Sequence, residues 1–474
     1  MALPSLEAAL ASHRFGMGTG PKDRAARAGG RAWLRGQVPG PAAQPKGAKR
    51  LPGTAALLST MRPLKGASQA ERMAFVRASH VRYRAEIAAR LIEAARTGAP
   101  FKERLVWYWS NHFTISTTNN RVVPFAGPFE REAIRPHLGG RFEDLLIAVV
   151  RHPAMLIYLD NVSSVGPTSL AGQRRGRGLN ENLAREILEL HTLGVDGGYS
   201  QDDVLALAKI LTGWSAARAG DESPGGFVFR PRLHEPGAQT LLGARFGGDR
   251  DEAQGLDALR FLARRPETAR YVARRFAGAF HAAPPPSAVA SLERAFLETG
   301  GSLPALHQAL LDEPAFWEPE LGLVRPPIDY VSSVLRLSGD QGLEGLNAFL
   351  DLATTGEPGT VPLRKAVRGN RQAANGLKLI ETLRAMGQYP FMAPSPKGWP
   401  MQPSAWTGPD QLLERAEWAH AVALMAPSPG DPAQLAGELL GPLLTPSTRT
   451  TLSEAASPAQ GLALFLASPE FQSR

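Results

Sequence analysis

Cysteine is absent from this chain. That excludes disulfides, thiolate zinc sites, iron–sulfur clusters and any thiol nucleophile, and it leaves the redox compartment open. A run of about 18 uncharged apolar residues is also missing, so no transmembrane helix is expected. Residues 1–20 show no basic segment followed by a long apolar one, so no signal peptide is visible and the chain as written reads as cytoplasmic. Lysine is scarce: nine of the 53 basic residues, which leaves 44 arginines (53 − 9). The net charge of +9 is spread along the chain and belongs to no recognised nucleic-acid module. Such a balance admits an anionic ligand, while nucleic acid is not expected. HExxH, Walker and GxSxG motifs are missing as well. Gly16–Gly20 is glycine-rich, but it follows no strand and lacks the third spaced glycine of a dinucleotide loop.

What the chain does have is an ordinary globular composition, 43% hydrophobic and 20% charged over 474 residues. That length exceeds one ordinary core. The patterning predicts a mainly α protein, an array of packed helical subdomains with at most a small β-hairpin near 225–248. Four segments follow: 1–66, an N-terminal helix and a Pro/Gly-rich excursion; 67–224, a helical core; 225–355, a glycine-rich segment leading into helices; and 356–474, a C-terminal helical subdomain. Ser68 and Glu71 form a capping-box pattern that should open a long helix to about Arg96. Pro100 should open the next helix, and Ser200 should cap another. Residues 128–137, 141–152 and 180–193 also read as helices. The loop 388–408, broken by prolines, should be packed by Trp399 and Trp406.

The most informative stretch is 180–193. At about 100° per residue, Asn182, Glu186, Glu189 and Leu193 share one face. Leu183, Ile187 and Leu190 form a flank that should meet the core. Two carboxylates three positions apart suit a divalent cation or acid–base work. The alternative is a solvated face with Arg185 balancing the acids. His191 would point about 170° away in a continuous helix, and could join the acids only if the helix ended early. Upstream, Arg174, Arg175 and Arg177 feed into a helix N-terminus, either as an anion site or as a basic loop. His112 ends the aromatic helix on its apolar side, as a site residue or as a core imidazole. Glu130, Glu132 and His137 lie on the next predicted helix and can approach it.

Long ordered motifs carry a family resemblance: Asn180-Glu181-Asn182-Leu183-Ala184-Arg185-Glu186, then Leu188-Glu189-Leu190-His191-Thr192-Leu193-Gly194, and Leu211-Thr212-Gly213-Trp214. Asn111-His112-Phe113, His152-Pro153-Ala154-Met155 and His234 with Gly237 agree with them. From about Ser12 to Phe471 the chain resembles the bacterial domain-of-unknown-function 1800 family. The resemblance implies a helical fold and frequent genomic association with a companion family of unknown function whose members are often exported, and it implies no established activity. It adds weight to Asn182, Glu186, Glu189 and His112. Three positions depart from it: Ser110 stands where relatives often have histidine, Gln239 where many have lysine, and His191 where many have phenylalanine. Exported relatives carry leader peptides. Two functional expectations follow. In the first, Glu186, Glu189 and His112 bind a divalent metal or act as acid and base in hydrolysis, with Asn182 and Glu132 assisting. In the second, the chain is a non-enzymatic binding or maturation partner of the companion protein.

Overall fold

The structure is a computed structural model that describes residues 3–60, 66–175, 178–218, 221, 223, 225–247, 251–355, 362–426 and 430–474. It is mainly helical, as the patterning predicts. The helix Gln69–Arg96 runs from a complete capping box: Glu71 N–H donates to Ser68 Oγ (3.2 Å) and Ser68 N–H to Glu71 Oε2 (2.8 Å). Each bond satisfies a backbone donor that the first helical turn leaves unpaired. Pro100 sits at the first position of Pro100–His112, where its missing N–H costs nothing. Ser200 caps Gln201–Ile210 as expected.

The Pro100–His112 helix lies deep in the molecule, with Phe101, Leu105, Val106 and Trp109 fully buried. The long Gln69–Arg96 helix packs against Pro327–Ser338 and Glu344–Thr355, and the latter packs on Arg371–Ala385. A single hydrophobic cluster runs from Ala9 to Phe471. The two ends of the chain meet in it. His13 Nε2 lies 2.8 Å from the carbonyl oxygen of Glu470, and an antiparallel bridge joins Val324 to Ser473. The Pro/Gly-rich stretch 38–60 is more than a surface excursion. It carries the helix Thr54–Thr60, and Ala42, Ala48, Leu51, Thr54 and Leu57 are buried.

The β-structure is two small antiparallel pairs. Trp214–Ala216 pairs with Phe227–Phe229, and Gln239–Leu241 pairs with Ala244–Phe246. The second is a hairpin whose turn residues Leu242 (φ 50°) and Gly243 (φ 77°) both adopt left-handed backbone, as a two-residue turn matched to strand twist requires. Asp203 Oδ1 accepts the Leu242 N–H at 2.6 Å and helps hold it there.

Two expected helices are interrupted. Within 128–137, Glu130–Ile134 forms a π turn and Arg135–His137 a 3-10 turn. Within 180–193, an α segment Asn182–Glu186 is followed by a π turn, Ile187–His191, and the helix ends there. The Thr192 hydroxyl donates to the Ile187 carbonyl at 2.6 Å and closes the widened turn. A π turn inserts a residue into the i→i−4 ladder and is often found at functional sites.

Candidate functional site

Asn182 opens its helix and is exposed, and Asn180 Oδ1 accepts its backbone N–H at 3.0 Å. Leu183, Ile187 and Leu190 face the core, as expected. Glu186 and Glu189 are half-buried and make no ion pair among the described residues. Arg185 makes no contact with them, and its charge offsets only part of the rise at Glu186. Its guanidinium reaches Glu181 (3.0 Å) and Gln201 (2.9 Å) instead. Burial raises the Glu186 carboxyl to about 7, and the neighbouring Glu189 charge raises it further. Two phenols complete the surroundings. Burial and then Glu186 push Tyr158 up to about 12, and Tyr199 stands beside Glu189 with its own pKa raised. One acid held protonated near neutrality beside another is the arrangement that divides acid and base roles between two carboxyls.

The histidines do not join this pair. His112 is buried in an aromatic nest with Trp109 and Phe113 at ring distances of 5.4 and 4.6 Å, and its Nε2 lies 3.1 Å from the carbonyl of His191. Burial, then Arg275, holds its pKa well below the ordinary histidine value, so it is a neutral core imidazole. The helix ends early at His191, yet that side chain turns inward. It is fully buried beside Phe113, and neither ring nitrogen has a partner among the described residues. Glu132 also lies elsewhere, taking the Thr54 N–H at 2.9 Å and facing His152 Nε2 at 3.3 Å. The expected metal trio of Glu186, Glu189 and His112 is therefore not assembled. No group of three or more His, Asp or Glu among the described residues is arranged to hold a metal. The apolar side of the Pro100–His112 helix outweighs the polarity of one imidazole and draws it into the core. Of the expected anion loop, Arg174 is exposed, while Arg177 and the Arg175 side chain lie outside the described residues.

A second locality was not anticipated. A cleft of about 120 Å³ opens between the Pro100–His112 helix, the Gln69–Arg96 helix and the loop following Ala385. At one end Asp329 grips Arg104 with both oxygens (2.6 and 2.9 Å) and also pairs with Arg325 (3.2 Å) and Arg474 (3.3 Å). Those cations hold the Asp329 carboxyl well below the usual carboxylate range despite its burial. At the other end, behind the lining residues Arg90 and Ser110, Arg135 grips Glu103 and Glu130 at 2.6 and 2.9 Å. Glu130 is shared further, with Arg90 at 2.9 Å and with the Ser110 hydroxyl at 3.1 Å.

The outer wall is the loop 388–401, held by main-chain clamps. Asn111 Nδ2 donates to the Trp399 carbonyl (3.0 Å) and Asn111 Oδ1 accepts its N–H (2.7 Å). Ser116 Oγ donates to Ala393 O at 2.7 Å, Thr117 N–H to Phe391 O at 2.8 Å, and the Tyr83 hydroxyl to Pro390 O. Between these clamps Phe391 adopts φ 59°, a left-handed backbone that is rare for a bulky residue. No clear sequence signal points here: at helical spacing Arg90 shares a face with Glu86 and Glu93, which reads as an ordinary polar face.

The family described as "Protein of unknown function (DUF1800)" matches residues 10–473. The chain belongs to it. No curated protein and no solved structure matches the chain. Among the described residues of this DUF1800 chain, no helix is long and apolar enough to cross a membrane. The stretch Asn180–Gly194, most specific for the resemblance, forms the acidic turn, whereas Asn111, from another of the motifs, holds the cleft wall.

Proposed function

We propose that the Glu186–Glu189 turn is an acid–base site for hydrolytic chemistry. The observation that carries this reading is the pair itself: two half-buried carboxyls one turn apart, free of guanidinium contact, where the α segment gives way to the π turn. Glu186, raised to about 7, donates a proton to the leaving group. Glu189, beside Tyr199, accepts one from water. Asn182 orients the substrate from the exposed start of the helix. Among the described residues no third His, Asp or Glu completes a metal site, so a divalent ion held here would take the rest of its shell from water.

The test is hydrolysis of a panel of chromogenic carboxylic esters, phosphate esters and glycosides, with metal content of chelator-free protein measured in parallel. The expected result is turnover of one class with an inflection in rate near pH 7 in the parent protein, and no turnover in Glu186→Gln or Glu189→Gln. Turnover unchanged in both variants, or no turnover of any class, overturns it. A second reading, a non-enzymatic partner of a companion protein, is favoured by the withdrawal of His112 and His191 into the core, which leaves the acids without an imidazole. Co-purification with that companion, lost on charge reversal at Glu186 and Glu189, supports it.

A further inference from the structure

The central cleft is a separate matter from the acidic turn. Arg90 is only 8% exposed, yet Glu130 is the one acceptor it has among the described residues, and Glu130 is already held by Arg135. The Arg90 guanidinium lies over Trp107 at 4.7 Å and over Phe391 at 5.0 Å, with the rest of its donor edge on the cleft. A buried guanidinium offers five N–H donors, and unpaired donors in a desolvated site are costly. At the far end one carboxylate, Asp329, answers three guanidinium groups. Positive charge is thus left over at the Asp329 end, and at the other end, where Arg90 and Arg135 are matched by Glu103 and Glu130, what is left over is the donor capacity of Arg90.

The remaining walls are aromatic and apolar, and the space of about 120 Å³ is close to one aromatic ring. A dry cavity of roughly 150 Å³ is known to accept benzene, which sets the scale. Phe391 adds an independent observation. Its left-handed backbone costs on the order of 1–3 kcal/mol, and such strain persists where neighbouring bonds over-determine it, typically at ligand clamps. Here the bonds from Tyr83, Thr117 and Ser116 do so, and the result is a ring presented to the cleft over Arg90.

We propose that the central cleft binds a monocyclic aryl carboxylate, with its carboxylate on the free edge of Arg90 and its ring between the aromatic walls that include Trp107 and Phe391. Arg90 makes a charge-assisted contact with the carboxylate, and the walls bury the ring. The size of the space fits one ring. The arginine excess at the Asp329 end disfavours a cation, and the free edge of Arg90 favours an anion over a neutral ring.

Calorimetric titration of the full chain with benzoate tests this, with benzyl alcohol and inorganic phosphate as comparators. Benzoate is expected to bind, and both comparators at least about ten-fold more weakly: benzyl alcohol loses the charge-assisted bond, and phosphate has no ring to bury. Arg90→Met should weaken benzoate about ten-fold or more while leaving Arg135 to satisfy Glu130. If Arg90→Met fails to fold, Phe391→Gly is the deciding variant, since glycine keeps the left-handed backbone and deletes only the wall. It should weaken benzoate with little change in thermal midpoint. No benzoate binding at millimolar concentration overturns the proposal. So does equal binding of benzyl alcohol or phosphate, or benzoate affinity unchanged in the folded variants.

Discussion

Glu186 and Glu189 carry two like charges one turn apart with no cation in contact, whereas Asp329 has three guanidinium groups within 3.3 Å. The first site is half-exposed and the second is buried. Burial explains the contrast. Water screens the acid pair, so it can persist unpaired with one carboxyl protonated. Inside the fold an unpaired charge is far more costly, so each must find an opposite charge or a set of dipoles. The acidic turn therefore holds its charge available for chemistry, and the Asp329 knot spends its charge on structure. Arg90 is the exception that links them: it is buried like the knot and under-partnered like the turn.

The largest effect should come from breaking the knot. Asp329→Asn keeps the shape but leaves three buried guanidinium groups without their carboxylate. A loss of about 3–5 kcal/mol in denaturant unfolding is expected. The carboxyl titrates far below its ordinary value, so its contribution is fully present above the unfolded value and is lost only as pH falls into strong acid. A loss under about 1 kcal/mol would mean that the arginines are satisfied by main-chain carbonyls alone, and the contrast with the acidic turn would vanish.

Next in size is the cleft wall. Asn111→Ala removes both bonds to Trp399, at a cost of roughly 2 kcal/mol. The change should be local, seen as faster hydrogen exchange across 389–401 with the core protected. Uniform loss of protection would instead tie this loop to global unfolding.

The acidic turn gives a smaller effect of opposite pH sense. Glu186 has a raised folded value, about 7 against 4.5, so its favourable contribution is present below pH 4.5 and is lost as pH rises toward 7. Glu186→Gln should leave stability unchanged at pH 4 and increase it at pH 8 by about 1 kcal/mol, allowing for solvent screening. A variant less stable than the parent at pH 8 would show that the carboxylate has a favourable partner and is structural.

How much of this was legible depends on the range over which each feature is determined. Ser68 with Glu71, Ser200 and Pro100 fix helix starts through neighbours three residues away, and the structure agrees with each. The acidic pair was equally legible, because a three-residue spacing is local. The π turns at Glu130–Ile134 and Ile187–His191 were not, since one extra residue in a turn is selected by what packs on it and leaves the apolar periodicity almost unchanged. The Pro/Gly-rich stretch 38–60 read as superficial because its few apolar residues show no period, yet Thr54 and Leu57 are buried. The cleft was hidden for a third reason. Arg90, Asn111, Asp329 and Phe391 are far apart in sequence, and only the packing of three helices and the loop 388–401 brings them to one space.

The smallest effect at neutral pH is also the most diagnostic of a core imidazole. His191 occupies a slot lined by Phe113, with both ring nitrogens unpartnered among the described residues. Each unsatisfied polar group costs about 1–3 kcal/mol, while the extra bulk of phenylalanine in a packed core costs about the same. His191→Phe should therefore change stability by less than about 1 kcal/mol at pH 8. Acid separates the two proteins. Burial, then Arg275, lowers the His191 pKa to about 3, so its neutral form favours the fold fully above the ordinary histidine value and the advantage is lost as pH falls toward 3. At pH 5 the phenylalanine variant should be the more stable by about 2 kcal/mol, one and a half pH units below the ordinary value. A gap that stays constant from pH 8 to pH 5 would mean that His191 has access to water or to a partner, which would bring it back toward the acids one turn away.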